Sequence, residues 1–142
     1  MVDHNSLEET NANTVIQVDS LSANEFAVEI DGQVANGIFR VVNFMPFNAH
    51  ADSVRSVLIT KMVQRDASNP FNRWLRESME GEIQPRRTVS IVAIDDQVEI
   101  RRWELKNAWI MSVGYSDFNT SNVELVEEQV TIAYESVVVK WS

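Results

Sequence analysis

The 142 residues are 44% apolar and 23% charged, the balance of one ordinary globular domain rather than of a disordered or fibrous chain, and long enough to bury a core. A formal net charge of -9 argues against binding nucleic-acid phosphates, which depends on cations displacing condensed counterions; the absence of cysteine excludes disulfides, thiolate metal sites and thiol nucleophiles. The opening Met-Val-Asp-His-Asn-Ser-Leu-Glu-Glu has neither a basic nor an apolar signal region, and no apolar run approaches the roughly 20 residues of a membrane span, so neither a signal peptide nor a membrane anchor is expected.

Residues 1–24 are rich in Asn, Ser, Thr and Glu, with one apolar island at Val15-Ile16-Gln17-Val18, and read as a polar N-terminal arm; residues 25–142 read as one β domain. Acidity concentrates at this end: seven Asp or Glu and no Lys or Arg lie between Met1 and Asp31, and the first basic side chain is Arg40. Phe26, Val28 and Ile30 alternate with Ala27, Glu29 and Asp31, the pattern of a half-buried strand, and Asp31-Gly32 is a turn dipeptide. A second strand is expected from Asn36 to Phe44, broken by Met45-Pro46, and a third over Val54 to Val63.

One helix is expected. Asn69 is a good N-cap, Pro70 suits the first helical position, and Gly81 supplies the stop. Phe71, Trp74, Leu75 and Met79 fall along one stripe, which a lone helix must bury against a sheet. Arg87 to Ile94, a turn at Asp95-Asp96-Gln97, and Val98 to Leu105 then read as a β-hairpin, followed by strands over Ala108 to Val113 and Val123 to Tyr134, the last continuing toward Trp141. About seven strands without strand-helix alternation predict two packed antiparallel sheets, a sandwich or barrel, with one α-helix.

Chemical motifs are missing. His4 and His50 are far apart and fit no metal spacing, and the glycines at 32, 37, 81 and 114 make no phosphate-binding loop. Adjacent acids at Glu8-Glu9, Asp95-Asp96 and Glu127-Glu128 read as solvated or subunit-bridging charges, because neighbours on a strand point to opposite faces. Asn119-Thr120-Ser121 matches a glycosylation sequon, which is idle without secretion. No catalytic, cofactor or metal site is expected, and no enzyme.

Several ordered pieces resemble the tail tube family, the inner tube proteins of contractile phage tails and related injection systems. Phe26 to Gly32 is similar to the family's first strand, Gly37-Ile38-Phe39 to the opening of its second, and Phe71 to Leu75 to a helix built around a Trp. Trp103, Leu105, Asn107, Ala108 and Trp109 resemble its "W-x-L-x-N-A-W" strand pair; Asp117, Asn119, Ser121 and Asn122, with Glu128, resemble its "D-x-N-x-S-x-N…E" segment. Where the family carries a long Gly-rich hairpin with a Pro-Gly, Asn43 to Ile59 is short and lacks Pro-Gly, and Leu58-Ile59-Thr60-Lys61-Met62-Val63 keeps a lysine but not the Arg-Gly of "L-K-R-G". The resemblance implies a homo-hexameric ring, stacked into a tube around a cargo lumen, with sheath, baseplate or spike, and cap proteins as partners. It also implies assembly in the cytoplasm and then a place in a tail-like particle.

Met45, Phe47, Trp103, Trp109 and Trp141 are more large apolar side chains than a small core with one helix easily hides, and aromatics and Met are enriched at interface centres. Met45, Phe47, Trp109 and Trp141 are therefore candidate subunit-interface residues, with Asn119 and Glu128 added by the resemblance. Two alternatives remain: an initiator or adaptor ring at the end of a tube, for which the shortened hairpin speaks, and a monomeric β-barrel ligand-binding protein.

Overall fold

The alternating patterns resolve into eight strands and one helix in the computed structural model, which describes residues 21–49, 55–81, 83–121 and 124–141. They are β1 (Phe26–Ile30), β2 (Gln33–Val34), β3 (Ile38–Val42), β4 (Arg55–Met62), α1 (Pro70–Glu80), β5 (Arg87–Asp95), β6 (Val98–Tyr115), β7 (Glu127–Tyr134) and β8 (Ser136–Trp141). The arm over residues 1–20, both histidines and the expected strand start at Val123 lie outside the described residues. Neighbours run β2-β1-β5-β6-β7-β4-β3, all antiparallel, with β8 on β6. The expectation of two packed sheets is corrected: the strands form one hydrogen-bonded sheet, and it does not close into a barrel.

The reason lies in β6. Its first part pairs with β5 and β8 and its second with β7, so one strand of 18 residues belongs to both halves of the sheet. The sequence reading ended this strand at Leu105 and began another at Ala108. Between them Asn107 takes φ of 51° and the register against β5 slips, a bulge that bends the strand without ending it. The facing chain bends at the same level: Glu135, between β7 and β8, donates its N–H to the Lys106 carbonyl and accepts from Asn107 Nδ2, both at 3.0 Å.

Opposed residues of an antiparallel pair share a face, so the register defines rows of side chains. The inner face of the β1-β5-β6-β8 half carries Ile30, Val89, Leu105 and Val137 in one row, Val28, Ile91, Trp103 and Val139 in the next, then Phe26, Ala93, Arg101 and Trp141. The β3-β4-β7-β6 half contributes Val57, Ile132 and Ile110, then Val41, Ile59, Val130 and Val113. Residues of both halves join Phe71, Trp74 and Leu75 of α1 in one buried cluster. Each fully buried aliphatic or aromatic side chain there contributes roughly 1.5–3 kcal/mol.

The helix follows its local signals. Asn69 Oδ1 accepts from the N–H of Phe71 at 2.9 Å, and the Gly81 N–H donates to the Glu77 carbonyl at 3.0 Å. Trp74 is buried and its Nε1 donates to the Pro85 carbonyl at 2.9 Å. Met79 does not join the buried stripe as expected; it is 54% exposed, and Ser78 is buried in its place. One residue advances about 100° around a helix, which carries Met79 off the inward face. Of the two turns foreseen, Asp31-Gly32 has positive φ at both residues, and that foreseen at Asp95-Asp96-Gln97 narrows to Asp96-Gln97, also both positive, since Asp95 ends β5.

Candidate functional site

The inner rows end differently at the two ends of the molecule. At one end α1 lies over the core, and Lys61, with no exposed side-chain surface, donates to Glu128 Oε1 at 2.9 Å and to the Met62 carbonyl at 2.8 Å. The Tyr115 hydroxyl donates to Glu128 Oε2 at 2.9 Å. Burial first, and then this bond to a carboxylate, push the Tyr115 pKa up. Glu128 is thus engaged inside the chain, and among the described residues no group of acids or histidines could hold a metal ion.

At the other end the core face runs out into the open. Phe44 stands edge-on to Trp103 with ring centroids 5.5 Å apart, and Trp103 lines two clefts. One, of about 420 Å³, is lined by Leu21, Phe26, Phe39, Phe44, Ala93 and Trp103 among others. The second, of about 360 Å³, is lined by Phe47, Arg55, Arg101, Trp103, Val139 and Trp141 among others. Phe47 is 78% exposed and Trp141 71% exposed, with the Arg101 guanidinium 3.4 Å above the Trp141 ring.

Of the residues singled out in the sequence, Phe47 and Trp141 therefore meet in one cleft, and Met45, also exposed, precedes it by two residues. Trp109 lies elsewhere, half-buried on β6 beneath the Arg86 guanidinium at 3.9 Å. Asn119 sits in the loop after β6, its Oδ1 accepting from the Ser121 N–H at 3.0 Å and hydroxyl at 2.8 Å. Sequence reasoning missed Val138, Val139, Phe118 and Leu125, all exposed. The run Val137-Val138-Val139 was the available signal for an edge apolar on both faces.

The outer face of the β1-β5-β6-β8 half is charged. Arg102 reaches Glu29 at 2.7 Å and Glu99 at 2.8 Å, and its hydrogen bonds to Glu99 and Glu29 raise its pKa beyond the ordinary arginine range. The bond from Arg102 lowers the pKa of Glu99. Among the described residues the outer edges of β3 and β8 and the flank of the second part of β6 away from β7 carry no further strand. Such edges need a partner or a guard.

A family profile described as T4-like virus tail tube protein gp19 matches residues 42–138. The chain belongs to this tail tube family. It is a structural tail tube subunit rather than an enzyme. Solved structures agree in fold: a chain of the PVC sheath-tube complex of an extracellular contractile injection system, in the extended state, matches with TM-score 0.68 and 13% identity over 91% of this chain and 97% of that one. A chain of the anti-feeding prophage baseplate matches with TM-score 0.63 and 11% identity over 84% and 95%. Hcp1 from Flavobacterium johnsoniae matches with TM-score 0.52 and 11% identity over 83% and 96%. No curated protein matches the sequence. Among the described residues of the tail tube subunit no helix is long and apolar enough to cross a membrane.

Proposed function

We propose that this tail tube subunit forms a closed homo-hexameric ring that stacks into the inner tube of a contractile injection particle, with cargo in the lumen and sheath, baseplate or spike, and cap proteins around it. The observation that carries this reading is the unclosed sheet, whose free edges lie beside exposed Phe47 and Trp141 in a family that builds tubes. A ring joins two different faces of each protomer, so candidate residues on separate faces, Met45, Phe47 and Trp141 on one and Trp109 and Asn119 elsewhere, suit a head-to-tail contact. Glu128, held by Lys61 and Tyr115 on a strand paired on both sides, takes no direct part in that contact. Residues 1–24 act as an arm on the 25–142 domain. The subunit assembles in the cytoplasm and leaves as part of the particle, which a contracting sheath drives into a target membrane.

Electron microscopy and sedimentation of the purified protein test this. Rings or tubes are expected; a lone species near 16.2 kDa that stays monomeric beside its partner proteins overturns it. The short connection between β3 and β4 favours a second reading, an initiator or adaptor ring, and single rings that never polymerise select it. The ligand-binding barrel calls for a closed sheet, and the sheet of the described strands is open.

A further inference from the structure

The cleft beyond Trp103 combines two features that an acidic protein has reason to keep apart. Its walls are apolar, and two guanidiniums, those of Arg55 and Arg101, open into it. Neither forms an ion pair with a carboxylate among the described residues, whereas Arg40, Arg86, Arg87 and Arg102 all do. Arg101 Nε is buried without a hydrogen-bond partner, and the hydroxyl of Tyr134, opposite Arg55 on the neighbouring strand, is buried without one too. In a chain of net charge -9, two guanidiniums thus stand beside an aromatic wall without a carboxylate partner among the described residues. A ligand that supplies carboxylates together with aliphatic side chains would pair with the guanidiniums and cover the apolar wall.

Residues 1–20 have that chemistry: Asp3, Glu8, Glu9 and Asp19 with no Lys or Arg, around the island Val15-Ile16-Gln17-Val18. We propose that the Arg55–Arg101–Trp141 cleft receives residues 1–20 of another copy of this chain. A second copy is favoured over the same one because Leu21, where the described chain begins, lines the other cleft and not this one. Arm into groove is a head-to-tail contact, the kind that closes rings or propagates along a tube. The free edge of β8, carrying Val137 and Val139 into the cleft, offers backbone pairing to the β-branched island. This deepens the tube reading and rests on it only for where the two copies sit.

The test is a fluorescein-tagged peptide of residues 1–20 titrated onto the full-length protein, read by anisotropy. Saturable binding is expected, weakened at least about tenfold in an R55E/R101E variant and by raising salt from about 50 mM to about 500 mM, which screens the ion pairs. An R65E/R76E variant makes the same charge change elsewhere on the surface and is expected to bind normally, with circular dichroism reporting that both variants are folded. No binding to the full-length protein with the peptide in large excess over the protein's own arm overturns the inference, and so does equal loss in both variants. Tubes seen by microscopy without peptide binding overturn the arm contact alone; peptide binding by a protein that never forms rings supports the contact and removes the tube reading.

Discussion

Lys61 sits where a charge is expensive, and what makes it tolerable is a complete set of partners: Glu128, the Met62 carbonyl, and the Phe71 ring 6.0 Å away. Removing one member of such a pair strands the other. K61A is expected to cost about 3–5 kcal/mol in chemical denaturation, while K61M/E128L, apolar on both sides, recovers most of the loss. Two pKa shifts give a pH dependence. Glu99 is held low by Arg102, so its contribution is present at neutral pH and disappears as the pH falls below the ordinary carboxylate range. Tyr115 is pushed up, so its contribution is full below the ordinary tyrosine value and disappears as the pH rises through the raised one. Denaturation midpoints should fall at both extremes, with E99Q flattening the acid limb and Y115F the alkaline limb. Glu128 stood out in the sequence through the family pattern and as one of two adjacent acids read as solvated or subunit-bridging, whereas it is buried against Lys61. Its pairing with Lys61 was not legible, because partners 67 residues apart leave no local periodicity.

At the level of elements, patterns that depend on near neighbours were readable and those that depend on bending were not. The cap at Asn69, the helix 70–80, both tight turns and the strands β1, β4 and β5 follow from local chemistry. N69A is expected to lower stability by about 1 kcal/mol, read as a shift in denaturation midpoint. Joining the two expected strands into β6 needed knowledge of Asn107, whose left-handed backbone keeps the ladder continuous where a pattern of alternation sees a break. N107V is expected to cost about 1–3 kcal/mol, since a β-branched residue resists that conformation, and N107G much less. The second expected strand shrank to β3 for a related reason: Gly37 has φ of 93°, and a side chain there would meet Gln64 at 2.3 Å, so the strand starts only at Ile38.

For the whole molecule, mainly-β character with one helix was legible, and the single sheet was not, because strand order is a matter of which edges meet. Phe47 and Trp141 could be selected by size and hydrophobicity alone, but the guanidiniums beside them came into view only with the register that sets Arg101 opposite Trp141. An F47S/W141S variant is expected to keep its helix and strands by circular dichroism and to lose rings in sedimentation, whereas the same change at Met79 and Ile83, both exposed, should leave assembly intact. The bulged β6 carries a mechanical corollary. Because one strand runs through both halves, pulling along its axis loads the hydrogen bonds to β5, β7 and β8 in shear, where they share the tension and fail together. Two separate sheets joined by a loop would have no such common strand, so the bend at Asn107 lets a force on one half pass directly to the other.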